Sequence, residues 1–230
     1  MDKINSFEEY LKSAAEAQRW CLGIGNNSEY LHNIGQGDSL SQIISGQERD
    51  LMPKGNIPKN LTGDTRFSPG FLAKVQEVAT RLQINWLDLL VCMAFETGGS
   101  FNPGEVNRLS GATGLIQFMP STARGLGTTT TALAKMSQVE QMKYVELYLS
   151  SKKLKGASFA DIYMSIIFPA AVGKPDSYVL FGKNAAISRY EFNKAYIQNK
   201  GLDLNKDGSI TKGETAAQAY KVGVENLNRK

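Results

Sequence analysis

"NWLDLLVCMAFETGG", residues 85–99, is apolar around nearly its whole helical circumference and ends on a carboxylate followed by a glycine pair. A helix that is apolar on almost every side belongs in an interior. Asn85 to Glu96 therefore reads as the buried central helix of a mainly α domain, and its short length and Asp88 argue against a bilayer span. Glu96 at the end of such a helix meets the negative end of the helix dipole and apolar surroundings, two effects that oppose ionisation. Gly98 and Gly99 let the chain reverse tightly over the carboxyl and leave it facing a groove. That is the preparation a general acid needs near neutral pH.

On the N-terminal side, "FSPGFLAKVQEVATRL" (67–82) predicts a helix with Ser68 as cap and Pro69 in its first turn. Phe71, Leu72, Val75, Val78, Ala79 and Leu82 mark its inner face. Downstream, "PSTARGL" (120–126) reads as a short helix and the threonine run 128–131 as a loop and N-cap. "SQVEQMKYVELYLSSKK" (137–153) reads as an amphipathic helix with Val139, Met142, Val145 and Leu149 inward. "SFADIYMSIIF" (158–168) is an apolar helix stopped by Pro169. No segment alternates as a strand does, which makes the fold mainly α.

The chain has 230 residues, 42% hydrophobic and 21% charged, as an ordinary globular protein does. A chain of this size buries roughly 70% of its unfolded surface, enough for one sizeable core. Twenty-six basic against 22 acidic residues give a formal charge of +4, a mild preference for anionic partners. The basic residues are scattered and form no recognition helix, which argues against nucleic acid as the partner. Two cysteines, Cys21 and Cys92, make no disulfide framework. The single histidine, His32, excludes His-rich metal centres and points any catalysis toward carboxylates. The start, "MDKINSFEEYLK", is acidic and amphipathic and lacks the pattern of a secretory signal. Three regions follow: an arm or small satellite over 1–62, a catalytic domain over 63–182, and a C-terminal segment over 183–230.

"ETGGSFNPGEVN" (96–107) paired with "SGATGLIQFMPSTA" (110–123) resembles the two signature motifs of the lytic transglycosylases and goose-type lysozymes, a lysozyme-like family that cleaves peptidoglycan. The likeness covers roughly residues 65 to 172. It implies a lysozyme-like fold, Glu96 as the catalytic acid, and Thr97 and Gln117 at the substrate. The family's third motif is usually "AYNAG", whereas this chain reads "DIYMSIIFPAAVGKPD" (161–176). Either Tyr163 supplies the phenol from one turn earlier, the preferred assignment, or Phe168 occupies the position without a hydroxyl. The mechanism implied uses Glu96 twice and yields a 1,6-anhydro product. A hydrolytic lysozyme with Glu105 as the nearest second carboxylate is the alternative, and an inactive wall-binding virion protein is another.

In "DLNKDGSITKGE" (203–214), Asp203, Asn205 and Asp207 alternate, Gly208 supplies a sharp turn, Ile210 is apolar in the eighth place and Glu214 stands twelfth. This resembles the EF-hand calcium loop. The resemblance implies a Ca²⁺ ligand set of Asp203, Asn205, Asp207, Ser209, Thr211 and Glu214, flanked by helices over "YEFNKAYIQNK" (190–200) and "ETAAQAYKVGVENL" (214–227). A lone loop of this kind suits a structural clamp better than a switch. Together the two resemblances imply bacterial peptidoglycan as partner. They also imply a phage product, either an endolysin released from the host cytoplasm to the cell wall or a tail-associated lysin held to other virion proteins through its N-terminal arm.

Overall fold

The computed structural model describes residues 61–182, 195–197 and 199–229, and it is mainly helical. The expected N-terminal helix, His32 and Cys21 lie outside these residues, as does most of the helix expected over 190–200.

Helix α1 spans Phe71–Leu82 and buries Phe71, Val75, Val78 and Ala79, while Leu72 and Leu82 pack at its margin. Its start differs from the reading above. Gly70 takes the N-cap place at φ 81° with no side-chain cap, and the Ser68 N–H donates to Gln138 Oε1 at 2.7 Å. A turn between Phe71 N and Ser68 O closes ahead of the helix and places its start beyond Ser68, whose hydroxyl caps nothing. Helix α2, Trp86–Glu96, begins where the Asn85 side chain accepts from the Leu87 N–H at 2.9 Å. Every residue from Trp86 to Ala94 is buried, Asp88 included.

Short helices α3 (Pro120–Gly125) and α4 (Thr130–Leu133) follow, the second capped by the Thr129 hydroxyl. Helix α5, Gln138–Ser150, opens with a capping box between Ser137 and Glu140. Helix α6, Phe159–Ile167, is capped by Ser158 and ends ahead of Pro169, which starts a 3₁₀ turn. Helix α7, Lys212–Asn228, opens with a second capping box, Thr211 with Glu214.

Two short strands interrupt the helical plan. β1, Val179–Gly182, pairs antiparallel with β2, Ser209–Thr211, matching Phe181 to Ile210 and Gly182 to Ser209. Just beyond β2, the Lys212 N–H donates to Tyr178 O at 2.8 Å and the Gly213 N–H to Asp176 O at 2.9 Å. Lys212, 2% exposed, sends its Nζ to Asp161 Oδ1 and to Lys174 O, both at 2.6 Å. The C-terminal segment is thus sewn to the start of α6 and to the turn that follows it.

One continuous core runs from Leu61 to Leu227, with α2 enclosed by α1, α6 and α7. The segments on either side of position 182 share this core. Helix α7 lies so close to α2 that a Cβ on Gly223 would stand 2.6 Å from the Val91 carbonyl oxygen, and one on Gly99 2.9 Å from that of Asn226. Arg66 fastens the same junction. Its Nη1 donates to Gly99 O (3.0 Å) and Asn226 O (2.9 Å), and Nη2 to Leu227 O (2.8 Å). Asp64 holds the guanidinium in that pose, and Arg66 in turn keeps the Asp64 carboxyl below its usual range. A cation against the last carbonyls of α7 is also favoured by the helix dipole. Among the described residues, no single helix is long and apolar enough to cross a membrane.

Gly223→Ala tests the α2/α7 contact. In an exposed helix the change would add stability, but here the new methyl meets a backbone oxygen that no rotamer can move. Overpacking should cost about 1–3 kcal/mol. A melting temperature several degrees lower is the expected result, read by differential scanning calorimetry, and an unchanged or raised one would show that the helices are not this close.

Candidate active site

Glu96 is the last residue of α2 and is half-buried, at the point where the core meets the surface. The turn after it is built from local hydrogen bonds. The N–H of Gly99 donates to Ala94 O at 2.8 Å and that of Thr97 to Met93 O at 3.0 Å, with Gly98 and Gly99 at φ 59° and 85°. Such angles favour glycine, and the pair ends the helix in one step. Thr97 is 5% exposed. Its Oγ1 donates to Met93 O (2.7 Å) and accepts from Phe101 N (3.1 Å), so its hydroxyl holds the turn behind Glu96.

Gln117 lies on the next loop, in a left-handed backbone conformation at φ 50°. An isolated antiparallel bridge between Thr113 and Phe118 closes this loop, and the Gln117 N–H returns to Gly114 O. Its side chain is 9% exposed and is held through Nε2 by Gly114 O at 3.0 Å and Glu105 O at 3.4 Å. Glu105 therefore joins the two motif loops: its carbonyl oxygen receives the Gln117 amide and the Gly114 N–H, and its carboxylate accepts from Ser100 Oγ at 3.2 Å.

A small open cleft lies beside this loop, walled by Gln117, Phe118, Met119, Tyr148, Ile167 and Pro169 among others. Its wall is as polar as it is apolar, with Gln117 and Thr122 among its polar side chains. Glu96, Thr97 and Tyr163 stand outside that wall.

Tyr163 is a core ring, 1% exposed, edge-on to Phe95 at 5.4 Å between centroids and stacked on Phe159 at 5.9 Å. Phe168 is equally buried and lies edge-on to Phe181. Neither of the two candidates for the third motif presents a face to solvent. Tyr163 backs the end of α2 through Phe95, from inside the core. Cys92, one turn before Glu96, is a free thiol pushed well up in pKa by burial and by the charges of Asp88 and Glu96.

The second site lies at the root of α7. Gly208 makes its sharp turn at φ 91°. Asp203 accepts from the N–H groups of Asp207 (3.1 Å) and Gly208 (3.0 Å) and from the Tyr196 hydroxyl (2.6 Å). Burial works against the Asp203 carboxylate, yet these donors hold its pKa below the usual value, and the same bond pushes Tyr196 up to about 12. Asn205 Oδ1 accepts from Asp207 N, and Asp207 Oδ1 from Ser209 N. Glu214 reaches back across the loop, Oε1 to the N–H groups of Leu204 and Asn205 and Oε2 to the N–H and hydroxyl of Thr211. Asp203 and Glu214 both accept from main-chain N–H groups of the one loop. Ser209 and Thr211 lie on β2. Among the described residues, no three His, Cys, Asp or Glu side chains stand grouped to hold a metal. The donor set itself is all oxygen, which is what a hard cation takes.

Sequence reasoning missed Gln138, Gln141, Arg66 with Asp64, and the Lys212–Asp161 pair. Gln138 and Gln141 left a visible signal, because they occupy inward-facing positions of α5 alongside Met142, Val145 and Leu149. Compared with protein-family models, with curated proteins and with solved structures, the chain matches none.

Proposed function

We propose that the chain is a peptidoglycan-cleaving enzyme of lytic-transglycosylase type, with Glu96 as its single acid and base. The observation that supports this most is the meeting of the two motif loops. Glu96 ends the buried helix, and the loop carrying Gln117 is joined to the turn after it through Glu105 and Ser100. In the reaction, the protonated Glu96 carboxyl donates to the oxygen bridging N-acetylmuramic acid and N-acetylglucosamine as the C1–O bond breaks. The resulting carboxylate takes the proton of the same sugar's C6 hydroxyl while O6 bonds to C1. The proton count closes, no water is consumed, and a 1,6-anhydro end results. Gln117, on the cleft wall, holds the glycan; Thr97 and Tyr163 support the acid from behind.

Glu105 supports a second reading, hydrolysis. Its carboxylate stands in the same loop cluster, where a second carboxyl group could direct a water.

Glu96→Gln retains volume and hydrogen bonding but cannot cycle a proton. Release of soluble fragments from purified peptidoglycan should fall by at least about 10²- to 10⁴-fold, the share of a general acid/base step, with an unchanged circular dichroism spectrum. Near wild-type clearance by this variant removes Glu96 from the mechanism.

For the loop at 203–214 we propose Ca²⁺ held by Asp203, Asn205, Asp207, Ser209, Thr211 and Glu214, where it would offset the repulsion of three carboxylates. An ion bound only by the folded chain stabilises it by mass action, about 2.7 kcal/mol at a hundred times its dissociation constant. Calcium should therefore raise the melting temperature over EDTA, and Asp203→Ala combined with Glu214→Gln should abolish the difference. Identical melting in calcium and EDTA would make the loop a self-satisfied turn.

A further inference from the structure

Two glutamines on α5 occupy positions where the helical pattern calls for apolar side chains, and both are buried, Gln138 at 6% and Gln141 at 0% exposure. Each makes three hydrogen bonds to main chain outside the helix, all but the one from Gln141 to Leu133 far away in sequence. Gln141 Oε1 accepts from Leu115 N at 2.6 Å, and its Nε2 donates to Pro103 O (3.0 Å) and Leu133 O (2.9 Å). Gln138 Oε1 accepts from Ser68 N at 2.7 Å, and its Nε2 donates to Arg66 O (2.8 Å) and Phe101 O (2.7 Å). One amide thus grips the loop that carries Gln117, and the other grips the turn that follows Glu96. They are three residues apart on one face of one helix, which makes their separation rigid.

A primary amide on a two-carbon stem suits this task. It supplies one acceptor and two donors in a fixed plane without a charge to desolvate. Gly114 fits the same picture: at φ 89° it lies against the Gln141 amide so closely that a Cβ would stand 2.3 Å from Oε1. The glycine that opens "GLIQ" is therefore the residue that lets Gln141 reach the loop.

We propose that the first turn of α5 is a polar clamp that sets the spacing between Glu96 and Gln117, with Gln141 as its principal positioning residue. This rests on the reading of Glu96 and Gln117 as the acid and the glycan-holding side chain. Gln141 touches no substrate; it acts by fixing the loop that carries Gln117.

The test compares Gln141→Met, which keeps the length and removes all three bonds, with Met142→Ala, which opens a cavity in the same helix and removes none. Both are made in the full chain. Hydrogen exchange is followed by mass spectrometry, and kcat and KM are measured on purified peptidoglycan well below each melting temperature. In Gln141→Met the amides of residues 113–118 should exchange at least about tenfold faster while those of α2 hold, the pattern of local opening. Its kcat should fall by about 10- to 100-fold, as a misplacement near 1 Å can cause, with KM changed far less. Met142→Ala should lose melting temperature and keep kcat. Unchanged exchange at 113–118, or the same kcat in both variants, overturns the clamp. If Gln141→Met does not fold, Gln141→Glu takes its place: it retains the acceptor for Leu115 N and loses both donors, so its rate relative to wild type should rise as the pH falls and a proton returns. A flat relative rate overturns the proposal. A wild-type chain that releases no fragment refutes the peptidoglycan reading instead, and the exchange comparison still decides the clamp.

Discussion

An eleven-residue helix buried along nearly its whole length governs this molecule. The α2 side chains can leave water only if other elements cover every face, and α1, α6 and α7 do so. Each covering element is then fixed in distance by what it must clear. Gly223 lets α7 approach until it meets the Val91 carbonyl, and Gly99 lets the turn after Glu96 slip beneath Asn226. The burial that encloses α2 also sets where it must surface, and it surfaces at Glu96.

Loops near that point cannot be held by apolar contact alone, because their backbone groups need partners once covered. The chain meets the need with side-chain amides and one guanidinium. Gln138, Gln141 and Arg66 together serve the main chain of eight other residues, seven of them in segments distant in sequence. Buried polar groups satisfied in this way favour one arrangement over its neighbours, since a shift of either loop would strand several of them at once. The C-terminal segment follows the same logic. Lys212 and the β1–β2 pairing tie the loop at 203–214 to the α6 side of the core, and α7 carries on from there to α2. A loop far from Glu96 in sequence is one helix away from it in the fold.

Elements whose cause is local were legible in the sequence. The threonine run supplies a cap as read, through Thr129, the helices over 137–153 and 158–168 form where their apolar spacing placed them, and α2 ends on Glu96 as read. What escaped has non-local causes. Ser68 has a capping residue's identity, but its hydroxyl caps nothing, because its backbone is held ahead of the helix by the turn to Phe71 and by its N–H bond to Gln138, 70 residues away. The strands are four and three residues long, too short for alternation to register, and β2 lies inside a loop read for its ligands. Tyr163 and Phe168 were weighed for a hydroxyl at the acid, and both proved to be core rings, because an apolar helix ahead of Pro169 turns its aromatic residues inward. At the candidate site, the residue types at 96 and 117 were readable from the motifs; the bonds from Gln138 and Gln141 to the two loops were not, since neither periodicity nor capping records a partner across the fold.

The central claim is that a single carboxyl at the end of α2 cleaves the glycan without consuming water. Mass spectrometry of the fragments released from purified peptidoglycan by the wild-type chain tests it most directly. The account predicts muropeptides ending in 1,6-anhydromuramic acid, each lighter by one water than its hydrolysed counterpart. Fragments with a reducing muramic acid would contradict it and shift the reaction to hydrolysis with Glu105, and the absence of any soluble fragment would contradict the enzyme itself.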